Sequence, residues 1–325
     1  MTGGLLAIVV PPALSGGRFA SMEFPIVPVV LIVGACFLYV LGVRRFNRIT
    51  PRHSWPIYRT VSFIAGLIAI SIAIMSFIGV YDDVLFWDHM VQHIILVMVA
   101  GPLLAIGSPF ALMIRATRGT SAHSWIVRIL RAPLSRFIGS PLVAFVLYAI
   151  VIPISHLTSF YNLTLTNEPA HNFEHLMFVV VGYLFWRQIY GVEPVVHRLH
   201  YGMKLIFLFL AVPVDTFTGL ALTQTNHEIF PAYLAMHRTW GPSLVEDLHI
   251  GGTIMWVFGD SLMTLGMAPV ARQWFHAEER RAVRIDRELD RQELERQELD
   301  GDSTNILLPH EQGIEIHKTD STSNR

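Results

Sequence analysis

The chain has 325 residues, of which 52% are apolar and 15% charged, and its mean hydropathy is +0.47. That balance lies outside the range of a water-soluble domain and makes a lipid bilayer the expected solvent. The net charge of −1 goes with no expected nucleic-acid partner, and the lone Cys36, inside an apolar run, excludes a disulfide framework and a C-x-x-C metal or redox pair.

Residues 1–24 lack the basic start of a secretory signal, and their apolar stretch is too short to span, so they read as a short outer lead-in. Seven windows of about 20 mostly apolar residues follow, the length that crosses a hydrocarbon core of about 30 Å. They lie near 25–43, 60–80, 89–114, 138–157, 171–190, 203–224 and 248–270. The expected fold is therefore all-α, a polytopic membrane bundle of about seven transmembrane helices over residues 25–270. Pro102, Pro109 and Pro153 are expected to kink or end their helices, and the small residues Ala100, Gly101, Gly251, Gly252 and Gly259 to allow close packing.

The connection 44–59 carries Arg44, Arg45, Arg48, Arg52 and Arg59, and 115–136 carries Arg115, Arg118, Arg128, Arg131 and Arg136. The fifth-to-sixth connection adds Arg187, Arg198 and Lys204. Loops 81–88 and 158–170 have no Lys or Arg, and 225–247 has only Arg238. By the positive-inside rule this alternation puts the N-terminus outside and the C-terminus in the cytoplasm. Residues 271–325 then form a charged cytoplasmic helix, with pairs such as Glu288 and Arg291, followed by a polar tail expected to be disordered after Gly301.

On that topology eight of the fifteen histidines fall on the outer side. His89 and His93 open the third helix, His156 closes the fourth, His171 and His175 open the fifth, and His249 opens the seventh. His227 and His237 lie in the last outer loop and read as surface residues. The two i,i+4 pairs each lie on one helical face, one turn apart, suited to chelating an ion. Imidazole suits copper, zinc, iron and nickel, and bundles assemble metal sites from facing helices. Asp88, Glu174 and Asp247 are placed to orient the rings or to ligate directly. Met90, Met236 and Met255 are packing residues first and soft copper ligands second. Asp215 and Asp260 sit inside apolar windows, where a carboxylate faces the bundle interior, in an interhelix hydrogen bond or on a proton or ion path.

HMVQHIILVMVAGPLLAIGSP at 89–109, HNFEHLMFVVVGYLFW at 171–186 and EDLHIGGTIMWVFGD at 246–260 resemble, in order, three signatures of the multi-pass CtaG family of cytochrome c oxidase assembly factors. Gly101, Thr158 and Leu248 depart from the family's usual proline, proline and glutamine, which touches local helix geometry and removes no candidate ligand. The resemblance covers roughly residues 25–270. It implies a non-enzymatic role in maturing a haem-copper oxidase at the bacterial plasma membrane, supplying or retaining copper. The implied partners are an oxidase subunit under assembly and a soluble extracytoplasmic copper donor. The expected site is centred on His89, His93, His171 and His175, with His156 and His249 close by.

Three rival readings stand beside it. His171, Glu174 and His175 match the inverted zinc-protease pattern of a membrane hydrolase, which would make zinc the metal. Histidines on facing helices also suit axial haem ligation, although i,i+4 pairs are better suited to one ion. A purely structural oxidase-associated protein would need no metal.

Overall fold

A computed structural model describes residues 11–13, 21–191 and 199–306, with side chains as far as residue 297. Among the described residues every regular element is helical. The helices are α1 (Ile26–Ile49), α2 (Ile57–Met75), α3 (Phe77–Tyr81), α4 (Phe86–Ile94), α5 (Gly101–Gly107), α6 (Pro109–Ala116), α7 (Ser121–Arg131) and α8 (Pro133–Ile138). They continue with α9 (Pro141–Leu157), α10 (Ser159–Thr164), α11 (Glu168–Tyr190), α12 (Tyr201–Thr223), α13 (Pro231–Ala235) and α14 (Leu244–Ile306). The chain divides into two compact units, Met1–Ala271 and Arg272–Arg325.

Each of the seven apolar windows holds a helix, but among the described residues only five stretches are long and apolar enough to cross a membrane: Ile26–Ile49, Ile57–Tyr81, Phe86–Ala116, Tyr201–Thr223 and Leu244–Gln297. The other two fall short for different reasons. Pro141–Leu157 is apolar but has 17 residues, and α11 has 23 residues but spends its first two turns on His171, Asn172, Glu174 and His175.

The Phe86–Ala116 stretch is interrupted where its prolines demand. A π-helical turn, Ile95–Ala100, separates α4 from α5, and Pro102, with no N–H to offer the Met98 carbonyl, follows directly. Pro109 starts α6 after Ser108, whose φ of 51° breaks the helix. Pro153 is absorbed within α9, which continues to Leu157.

Packing follows the small residues. A Cβ on Gly101 would stand 3.0 Å from the Gly182 carbonyl carbon, and one on Gly182 would stand 2.9 Å from Cα of Val97. No larger residue would let α11 lie this close to the π-turn and α5. Two carboxylates within the apolar helices are paired across them: Tyr148 donates to Asp215 at 2.6 Å and Thr216 donates to Asp260 at 2.6 Å, interhelix bonds that suit intramembrane carboxylates.

In the second unit α14 presents exposed i,i+3 pairs, Arg291 with Glu288 at 2.8 Å and His276 with Glu279 at 3.3 Å. Ile285, Leu289 and Leu294 are exposed. The helix runs on to Ile306, past Gly301, where order was expected to end. A glycine costs a helix only about 1 kcal/mol, too little to stop one already so long. His197, His310 and His317 lie outside the described residues.

Candidate metal centre

The histidine-bearing helices are anchored by capping groups. The helix α4 begins at Phe86, one turn before His89, and its own N-cap residue, Leu85, has no side chain able to accept a hydrogen bond. Asp247, from the first turn of α14, fills that role. It accepts from the Phe86 N–H at 3.3 Å and the Trp87 N–H at 2.9 Å, and pairs with buried Arg238 at 3.0 Å. The helix α11 starts a turn earlier than expected, because Asn167 caps it by accepting from the Ala170 N–H at 3.0 Å and Pro169 fits its first turn.

These anchors bring two groups together. His89, His93 and Glu174 form one and Asp82, His171 and His175 the other, each offering three ligand atoms within 4.8 Å of one another. The i,i+4 pairs behave as helix geometry demands, with ring centroids 4.0 Å apart for His89 and His93 and 4.3 Å for His171 and His175. Each pair has a carboxylate to itself, although Glu174 is sequence neighbour to the pair it does not join.

Donor atoms about 2.0–2.2 Å from one ion at tetrahedral angles stand about 3.4 Å apart. The observed separations are 3.7 Å from His89 Nε2 to Glu174 and 3.4 Å from His171 Nε2 to Asp82. Both His89 nitrogens, His93 Nε2 and both Glu174 oxygens are buried without a hydrogen-bond partner. Native interiors rarely leave such atoms orphaned, and an ion is one agent that satisfies them together. The residues present therefore fit a small cation with imidazole and carboxylate preference.

The surrounding bonds fix the tautomers. The Gln92 amide nitrogen donates to the Ala73 carbonyl at 3.0 Å and also to Asp82. Its oxygen must then accept from His175 Nε2 at 2.8 Å, which leaves the His175 lone pair on Nδ1. His156 Nδ1 lies 2.7 Å from the Ile152 carbonyl, which can only accept. Its Nε2 therefore accepts from His93 Nδ1 at 3.0 Å, and the His93 lone pair is left on Nε2. His156 thus orients His93 by accepting its Nδ1–H, the place that a carboxylate, carbonyl or water usually takes behind a metal-bound imidazole.

Half-exposed Asp83 meets His171 Nδ1 at 3.1 Å. Desolvation, and then the adjacent Asp82 carboxylate, push Asp83 up to about 7, with His171 opposing.

Other expected site residues lie elsewhere. His249 belongs to neither group: its Nε2 is 2.6 Å from the Thr225 carbonyl, because its position on α14 faces the end of α12. Asp247 is consumed by the α4 N-terminus and Arg238. Asp88 is fully buried, and neither of its oxygens has a hydrogen-bond partner. His227 and His237 are exposed. Met90, Met98 and Met255, with His93, His156 and Asp215, border a cavity of about 20 Å³, room for about one water.

Sequence reasoning missed Asp82, Asp83 and Gln92. The available signal was an Asp-Asp pair in a loop without Lys or Arg, and an amide one residue before His93.

Residues 37–277 match the family model described as cytochrome c oxidase caa3 assembly factor, Caa3_CtaG. Similar curated proteins are uncharacterized protein Mb0105 of Mycobacterium bovis and uncharacterized protein MT0111 of Mycobacterium tuberculosis, each 29% identical over 269 residues. Uncharacterized protein ML1998 of Mycobacterium leprae is 29% identical over 259 residues. The matches take in 81%, 81% and 78% of this chain but only 40%, 40% and 39% of those proteins, so the chain spans well under half of the relatives' length. No solved structure matches.

Proposed function

We propose that this chain, which belongs to the caa3 cytochrome c oxidase assembly-factor family, binds copper as cargo at the outer face of the plasma membrane and releases it to an oxidase subunit under assembly. The observation that carries this reading is the paired grouping of two histidines with one carboxylate, buried and largely without hydrogen-bond partners. Imidazole with carboxylate suits copper and zinc alike; the family's oxidase connection favours copper, taken from a soluble donor outside the cell.

The proposal includes seven membrane crossings, with α9 and α11 completing the five longer ones. It places the N-terminus outside and the C-terminus in the cytoplasm, supported by the arginine-rich and arginine-poor loops. Both histidine groups then lie toward the extracytoplasmic side, and the ion need not cross the bilayer.

The role is non-catalytic. In the zinc-hydrolase reading, Glu174 would serve as base beside a metal on His171 and His175. Here those histidines gather with Asp82, whereas Glu174 gathers with His89 and His93.

Copper analysis of the purified protein, together with oxidase activity in cells, tests the proposal. Replacing His89 and His93, or His171 and His175, by alanine should lower both bound copper and oxidase activity at equal membrane levels, while His249→Gln should change neither. Full copper occupancy and a fully active oxidase in both double variants would refute it.

A further inference from the structure

The two histidine groups differ in ways that a single binding site does not require. Exposure separates their histidines: 13% for His171 and 8% for His175, with Asp82 at 2% and the flanking Asp83 at 43%, against zero for His89 and Glu174 and 5% for His93. The rings form a continuous file. His171 faces His89 with centroids 5.8 Å apart and planes 24° from parallel; His89 is followed by His93 at 4.0 Å and His93 by His156 at 5.1 Å.

The groups also differ in how well their polar atoms are already satisfied. In the first group Asp82 accepts from the Gln92 amide and His175 bonds the Gln92 oxygen, leaving His171 Nε2 and His175 Nδ1 without a hydrogen-bond partner. In the deeper group both His89 nitrogens, His93 Nε2 and both Glu174 oxygens lack one. An ion entering the shallow group displaces existing pairings, whereas one entering the deep group fills an unmet demand in a drier place, where electrostatic attraction is stronger.

We infer that the groups are successive stations for one cargo ion: Asp82, His171 and His175 capture it from the aqueous side, and His89, His93 and Glu174 retain it. Passage runs between the facing rings of His171 and His89, and proceeds by exchange of ligands with no change of oxidation state. The inference rests on the reading of these groups as metal sites.

The test uses the full chain in detergent, loaded anaerobically with Cu(I) and then challenged with a hydrophilic chelator. Wild type should bind two ions, one per group, with release in two phases about tenfold or more apart, since affinity differences appear mainly in off-rates. Glu174→Gln should abolish the slow phase and keep the fast one. Asp82→Asn with His171→Gln should abolish the fast phase and slow the loading of the retained ion by about tenfold.

If wild type binds no copper, the metal reading and this inference fail together. If it binds one ion, lost in either variant, copper binding stands and the two-station arrangement is wrong. Single-phase release of two ions, or loss of the fast phase in Glu174→Gln, also overturns the ordering. The wild-type release curve decides even if a variant misfolds.

Discussion

Asp247 holds the start of α4 through the Phe86 and Trp87 N–H groups while pairing with Arg238. Replacing it by alanine removes a buried ion pair with Arg238, both side chains 2% exposed and 3.0 Å apart, and leaves an uncompensated guanidinium. Breaking such a pair costs about 3–5 kcal/mol. The Phe86 and Trp87 N–H groups also lose their acceptor, at about 1–3 kcal/mol each if no water reaches them. Phe86 bonds one Asp247 oxygen and Trp87 the other, so Asp247→Asn keeps an acceptor for only one of those N–H groups and removes the charge, and it should lie between alanine and wild type. Adding Arg238→Met to Asp247→Asn removes the orphaned cation and should recover part of the loss. Because His89 stands one turn into α4, loosening that turn should weaken copper retention by about tenfold, equivalent to about 1.4 kcal/mol. Thermal unfolding in detergent and copper titration read the two effects separately. An Asp247→Ala protein that melts and binds like wild type would show that the α4 terminus is held by something else.

Gln92→Leu strips the acceptor from His175 and the donor from the Ala73 carbonyl, so it should cost about 1–3 kcal/mol per orphaned group and weaken copper binding at the His171 group; unchanged binding would remove Gln92 as the orienting group. Asp88→Asn tests a fully buried carboxylate without partners: relief of that burden should raise the melting temperature with copper occupancy intact, and a loss of copper would instead make Asp88 a ligand. Gly182→Val forces a side chain to within 2.9 Å of the Val97 backbone, so it should destabilise the protein by about 1–3 kcal/mol and lower copper affinity by separating α11 from the π-turn; wild-type melting and binding would refute that packing argument.

The length of the apolar runs and the helical spacing of the histidines made much of this protein legible. Helices appear in all seven windows because a hydrophobic run of that length has few other outcomes, and the i,i+4 histidine pairs meet because helix geometry leaves them no choice. Assigning a carboxylate to each pair was not possible from spacing. Glu174 lies between His171 and His175 in sequence, yet a helix turns about 100° per residue, and the backbone carries its carboxylate toward α4 instead. Asp82 joins from a loop, and no local pattern announces where a loop residue will point. Asp247 and His249 looked like site residues because they share a helix end with the outer histidines; their partners, the α4 N–H groups and the Thr225 carbonyl, are contacts that only tertiary packing creates.

The π-turn at Ile95–Ala100 has a consequence for how this protein tolerates insertions and deletions. Such a turn accommodates an extra residue within a helix, and each residue rotates everything beyond it by about 100°. Removing one residue there would let the turn revert to ordinary winding, and because a π-turn rotates less per residue, His89 and His93 would keep their azimuth toward α11 while Gly101 kept its seat against Gly182. The span thus behaves as two segments whose phase, fixed at one end by the histidine pair and at the other by close packing, the extra residue leaves intact. A single deletion within Ile95–Ala100 should therefore be tolerated far better than one between His89 and His93, which would split the i,i+4 pair.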